Sequence, residues 1–334
     1  MRPDYRNRDH RIEYFDAMYA MNLKHRVHPG LGYRYMPELR KRLQWDEETA
    51  LWFATINGHT QNPITSLYIM QFVPEIPTKD SEWKIAQEQF DILWSELSFD
   101  TDRNKQKKDT IKGLHSYSML VREYGSQAKL WSDKTYDQYW ALASSIHSFG
   151  RLSAFSYLEY VHLNNFGADC TRLMFDDLEG SRSHRNGMFF LTGQDNMVYD
   201  KRQPDSHDGK YPNLKALGAS LEGQAELWLA SFARFHPKLK NISKFTLESC
   251  LCQFKNGFFK RRYPGVYADM AWDRIQWYDK RSLNRLTKVF KEIREDHLPE
   301  WLRQECDKTG TTRSEKCAMY IETGMPFRAE HFMP

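Results

Sequence analysis

Apolar residues in this chain recur every three or four positions and seldom every second one, which commits it to helices rather than sheets. Leu283, Leu286, Phe290 and Ile293 make the clearest stripe. Ile12, Phe15, Met18, Tyr19 and Leu23 make another, and Ile85, Phe90, Leu93, Trp94 and Leu97 a third. Further helices are expected at 39–56, 64–72, 136–149, 152–163, 221–235 and 245–254. Local punctuation supports them: Asp46 is placed to cap, Pro63 opens a helix that Pro74 and Pro77 close, and Gly150 separates two others. Only 188–192 is apolar enough for a short strand, with a buried helical turn as the alternative. The expected fold is mainly α. It is a single large helical domain over residues 1–304, with at most a small β element near 188–200, followed by a C-terminal tail at 305–334. The polar stretches 100–112 and 199–214 are candidate internal boundaries.

A chain of 334 residues can bury a sizeable core, and 28% charged residues beside 40% hydrophobic ones excludes disorder as its main state. Aromatic residues reach 14%. Most are expected in the core, with stacking on nucleobases as their other use. A net charge of +4 is too small for a general DNA coater, so any nucleic-acid contact must be local. The basic run in 100–112 reads first as a solvated face or loop, with a phosphate contact as the alternative. Five cysteines show no CxxC spacing, and Cys250 and Cys252 are too close for an ordinary disulfide and weak as a zinc half-site. Reduced thiols fit them best. No apolar run approaches the ~20 residues that span a bilayer, and the charged N-terminus lacks a signal-peptide core, so a cytoplasmic location is expected.

Three polar blocks interrupt the apolar pattern. The first runs from Asp176 to Gly187 between Leu173-Met174-Phe175 and Met188-Phe189-Phe190-Leu191. Arg182 and Arg185 are suited to gripping phosphate oxygens in a fork, and Ser181, Ser183 and Asn186 add neutral donors. His184 is the natural proton carrier near neutrality, with Asp177 or Asp176 behind it. A solvent-exposed turn is the plain alternative. The second block, Asn57 to Pro63, offers Asn57, His59, Gln61 and Asn62, an uncharged set suited to a base edge or a ligand's head group, with a helix-to-helix turn of capping polar residues as the equal alternative. The third runs from Lys255 to Asp269. Lys255, Lys260, Arg261, Arg262 and Tyr263 combine charges for phosphates with a ring for a base, against a surface loop as the alternative. Arg151 and Glu159, eight residues apart on one helix, read as a core ion pair or a further phosphate contact. No Walker A loop, dinucleotide GxGxxG, HExxH, GxSxG or kinase signature is present.

Taken in order, Asn57-Gly58-His59-Thr60-Gln61-Asn62-Pro63, Arg151-Leu152-Ser153-Ala154-Phe155 with Tyr157-Leu158-Glu159, the block Asp177 to Gly187, and Arg261-Arg262-Tyr263-Pro264-Gly265 resemble the bacteriophage amino acid:DNA transferases. These are also called α-glutamyl/putrescinyl thymine pyrophosphorylases. The resemblance covers most of the chain, roughly residues 14–274. It implies phage DNA in which 5-hydroxymethyluracil replaces thymine and is activated as a pyrophosphate ester. An amine from a free amino acid or polyamine then displaces the pyrophosphate and leaves a hypermodified thymine. The implied partners are modified DNA and the amine, in the host cytoplasm and away from membranes.

That chemistry assigns expectations to residues. Arg182, Arg185 and Arg151 would neutralise the leaving pyrophosphate, with Arg261 and Arg262 as second choices or as contacts to the DNA backbone. His184 or His59 would take the amine's proton. No cofactor is demanded, although a divalent metal such as Mg²⁺ on the pyrophosphate would find hard oxygens in Asp176, Asp177 or Asp269. Tyr263 is placed to stack on an extruded base. Two competing readings remain: a helical DNA glycosylase-like enzyme, and a nucleic-acid binding module without catalysis.

Overall fold

The computed structural model describes residues 7–25, 34–100, 103, 105–178, 180–199, 211, 213–258, 270–281, 284–300 and 303. Its α-helices are α1 (Arg11–His25), α2 (Tyr35–Arg42), α3 (Glu47–Thr60), α4 (Pro63–Met70), α5 (Asp80–Leu93), α6 (Thr110–Tyr124) and α7 (Gln127–Leu130). They continue as α8 (Tyr136–Ser145), α9 (Arg151–Leu163), α10 (Arg182–Leu191), α11 (Leu214–Phe235), α12 (Lys244–Phe258), α13 (Met270–Asp279) and α14 (Asn284–His297). The fold is mainly α, with no strand among the described residues. The β element expected near 188–200 is therefore corrected. Residues 188–191 complete α10, fully buried, and Asp195–Met197 is a 3-10 turn. No described helix is long and apolar enough to cross a membrane.

The chain forms two compact units. Described residues within 1–26, 170–269 and 300–334 make the first, and those within 27–169 and 270–299 make the second. In the first unit α10 lies along α12, with α1 against both and α11 against α10. Gly187 permits that approach, because a Cβ there would stand 2.2 Å from the Leu251 carbonyl oxygen. Phe15 and Tyr19 of α1 meet Trp228 of α11 edge-on at 5.0 and 5.1 Å, closing the apolar side of the bundle.

In the second unit α3 is the central helix. Every residue from Ala50 to Thr60 is buried, because α2, α4, α6, α7 and α9 surround it. It begins where the sequence indicates, with the Asp46 side chain accepting from Thr49 N at 2.8 Å. It ends at Gln61, whose φ of 52° breaks the helix. The single helix expected over 39–56 is two, divided where Gln44 turns to φ 53°. Asn62 then caps α4 by accepting from Ile64 N and Thr65 N at 3.2 and 3.4 Å.

The basic run at 100–112 is not the uniformly solvated face that its composition suggests. Arg103 is buried and donates to the Ser148 carbonyl at 2.9 Å. Lys107 is also buried, donates to the Leu97 carbonyl, and lies 5.3 Å over both the Trp94 and Phe99 rings. Lys105 and Lys108 stay exposed. Two cations at four-residue spacing thus tie down a loop from within.

Candidate functional site

The densest set of candidate residues is in the first unit, where 171–178 forms a loop whose backbone is gripped from several directions. Arg185, fully buried on α10, donates to the carbonyls of Phe175 at 2.9 Å, Asp177 at 2.8 Å and Leu178 at 2.6 Å. Glu222 of α11 accepts from the N–H groups of Leu173 and Met174 at 2.6 and 2.8 Å. Lys244 donates to the Thr171 carbonyl at 2.6 Å and pairs with Glu222 and Glu226 at 3.3 and 2.6 Å. These contacts hold Met174 at φ 58°, a conformation that an unbranched non-glycine residue rarely keeps without such support. Gly218 lets α11 close on the loop, since a Cβ there would stand 2.8 Å from Asp176. The result is a fixed platform carrying two half-buried carboxylates, Asp176 and Asp177. Asp177 accepts from Gly180 N at 2.9 Å, and Asp176 lies 3.9 Å from Arg172.

His184 is fully buried beneath this platform. Its Nε2 is 2.9 Å from the Leu173 carbonyl, which can only accept, so Nε2 carries the proton. Its Nδ1 is 3.2 Å from Oε1 of Glu248, a buried carboxylate of α12. Cys252, one turn further along α12, places Sγ 3.7 Å from the same oxygen. With both nitrogens engaged in the interior, His184 positions the loop and is poorly placed to collect a proton from an incoming amine. Asn186 pairs with both backbone groups of Tyr199, at 2.6 and 3.1 Å. Arg182 lies 5.8 Å from the centre of the Tyr199 ring, Ser181 is buried at the start of α10, and Ser183 accepts from Lys255 at 3.0 Å.

Such an arrangement, one anchored acidic loop beside a helix that opens with arginine and serine, suits an amine and a phosphate group but does not name a reaction. Sequence comparison does. The model of the family described as amino acid:DNA transferase matches residues 33–263. The chain belongs to this family. It therefore transfers an amino acid onto DNA, and the matched span takes in the first three resembling blocks whole and the fourth through Tyr263. A protein of Salmonella phage ViI named serinyltransferase is 26% identical over 303 residues, covering 85% of this chain and 72% of that protein. No solved structure matches the chain.

The Asn57 to Pro63 block lies in the second unit, and most of it is not a turn. Asn57 to Thr60 form the last turn of α3, so only Gln61 and Asn62 link the helices. Asn57 accepts from Ser66 at 3.1 Å, Ser66 and Thr60 share a bond of 2.7 Å, and Tyr160 of α9 donates to Gln61 at 2.9 Å. The Asn57 side chain also bonds the Tyr160 hydroxyl, while the amide nitrogen of Asn62 is buried without a hydrogen-bond partner among the described residues, leaving one uncharged donor inside the unit. Burial and the neighbouring Glu159 push the Tyr160 phenol well above its ordinary range, so it serves as a neutral donor. Arg151 is half-buried, with its guanidinium 4.8 Å over Phe155.

His59 is held neutral. Burial first, then the charges of Arg103 and His147, lower its imidazole to about 3. The ring lies flush against α6, where a Cβ on Gly113 would stand 2.1 Å from His59 Cε1. A base this weak gains little from an amine's proton. It does set a pH dependence. The unfolded chain binds a proton near 6.5 and the folded chain only near 3, so this contribution is full above about pH 6.5 and falls as pH drops between these values. The slope is up to about 1.4 kcal/mol per pH unit. Urea unfolding at pH 7 and pH 5 is expected to show the loss, and His59→Gln to flatten it. An unchanged slope in that variant would contradict the assignment.

Lys260, Arg261, Arg262, Tyr263 and Asp269 lie outside the described residues, as do Glu179 and the tail at 305–334. Nothing in the sequence alone marks Glu222, Lys244 or Glu248. Each sits at helical spacing among apolar neighbours and meets its partner far along the chain, so no local pattern marks it.

Proposed function

We propose that the protein joins an amino acid to pyrophosphorylated 5-hydroxymethyluracil in DNA and releases pyrophosphate. The amino acid's nitrogen forms a bond to the C5-methylene carbon, the carbon–oxygen bond to pyrophosphate breaks with its electron pair, and the amine's proton passes to a base. The observation that carries this reading is the family match across 33–263, which contains the acidic platform and the arginine that follows it. Asp176 and Asp177 are the carboxylates best placed to hold the ammonium group and take its proton, because the loop that presents them is fixed at seven backbone groups. Arg182 is the described cation assigned to the departing pyrophosphate, with Arg261 and Arg262 beside it in function. A magnesium ion on the pyrophosphate would find a hard oxygen ligand in either Asp176 or Asp177 and would neutralise the leaving charge, leaving the other carboxylate to take the proton. The phage ViI relative's name makes serine the first donor to test.

The test uses DNA carrying pyrophosphorylated 5-hydroxymethyluracil, incubated with the protein and a mixture of amino acids and polyamines. After digestion to nucleosides, mass spectrometry is expected to show one new nucleoside heavier by a single amino acid. Fragmentation then tells whether nitrogen or, for serine, the side-chain oxygen made the bond. An unchanged nucleoside profile from folded protein argues against the reading. Release of free base selects the glycosylase-like alternative.

A further inference from the structure

We propose that His184, Glu248 and Cys252 form a binding site for a borderline divalent cation, zinc above all. One donor atom from each residue lies within 4.8 Å of the other two. Ligands held ~2.0–2.3 Å from a tetrahedral zinc stand about 3.3–3.8 Å apart, and the Nδ1–Oε1 and Sγ–Oε1 distances of 3.2 and 3.7 Å are close to that spacing. The fold explains the convergence. Glu248 and Cys252 are four residues apart on α12 and share one face, and Gly187 lets α10 approach closely enough to bring in His184.

The donor set is selective. One imidazole, one carboxylate and one thiolate suit zinc and are foreign to magnesium or calcium, which prefer oxygen alone. The bond from Nε2 to the Leu173 carbonyl is the outer contact that metal-binding histidines usually make, and it leaves Nδ1 as the ligating nitrogen. His184 and Glu248 are buried while Cys252 is half-exposed, so a cation enters from the Cys252 side and keeps a fourth position for water. Bound there, it joins α10 to α12 directly under the carbonyl that anchors the acidic loop. The site is independent of the reaction proposed above.

The test begins with untagged protein, stripped by a chelator and shown to remain folded by circular dichroism. Titration with cobalt(II) is expected to give a thiolate-to-cobalt absorption band that saturates at one equivalent and is displaced by zinc. Cys252→Ser should abolish the band, Glu248→Gln should weaken binding at least about tenfold, and Cys170→Ser should leave the band unchanged. Zinc should raise the thermal midpoint of the wild-type chain and not of Cys252→Ser. Folded wild-type protein that gives no cobalt–thiolate band overturns the proposal and leaves His184 and Glu248 as a buried pair. A band that survives Cys252→Ser overturns it equally, since the metal then sits elsewhere.

Discussion

Replacing Arg185 by methionine is expected to cost about 3 kcal/mol of stability and to lower amino-acid transfer at least about tenfold where the chain is still folded. The guanidinium is fully buried and donates to three carbonyls, those of Phe175, Asp177 and Leu178. Charge-assisted bonds of this kind are worth about 1.5–3 kcal/mol each, partly offset by relief of the arginine's own desolvation. Methionine fills similar volume and donates nothing, so three acceptors lose their partner at once. The functional loss follows from geometry, because those carbonyls fix the loop that presents Asp176 and Asp177. Arg185→Lys keeps the charge without the fork, and it should recover part of the stability and less of the activity. Urea unfolding and the nucleoside assay check both effects. Wild-type stability in Arg185→Met would show that the loop does not depend on this clamp.

Gly187→Ala should destabilise the first unit by about 3 kcal/mol, through a different route. The added Cβ would meet backbone and not a movable side chain, at 2.2 Å from the Leu251 oxygen, 2.7 Å from its carbonyl carbon and 3.0 Å from its Cα. Helices α10 and α12 must therefore separate. The contacts on either side then stretch together, namely Ser183 to Lys255 at 3.0 Å and His184 to Glu248 at 3.2 Å. Alanine's better helix propensity, worth about 1 kcal/mol, does not compensate. Thermal unfolding is the measurement, with Gly223→Ala as the comparison, since nothing lies near a Cβ there. Equal midpoints for the two variants would mean that the helices have room to spare.

Signals confined to a few residues were legible in the sequence. Asp46 caps α3, Pro63 opens α4 and Gly150 precedes α9, because each of these acts on its immediate neighbours. The block from Asp176 to Gly187 was also visible as polar residues set between core-like ones. Its internal division was not: Arg182 onward is helix, and His184 and Arg185 turn back to carbonyls seven to eleven residues earlier. Composition marks such residues as chemically able without telling whether a substrate or the protein's own backbone receives the bond. Met188 to Leu191 could be read either way because a short apolar run has too few residues to show a period. Arg103 and Lys107 read as solvated for the same reason that no local pattern marks Glu222 and Glu248. Their partners, Ser148, Leu97, Leu173 and His184, are fixed by tertiary packing alone.

In the proposed reaction, amino-acid transfer and pyrophosphate release are one event. The most direct measurement counts both in the same reaction, using isotopically labelled amino acid for incorporation into DNA and an enzymatic assay for free pyrophosphate. One pyrophosphate released for each amino acid joined, with no release when the amino acid is omitted, is the expected result. Amino acid joined to DNA without pyrophosphate, or pyrophosphate released at the same rate without amino acid, would contradict it.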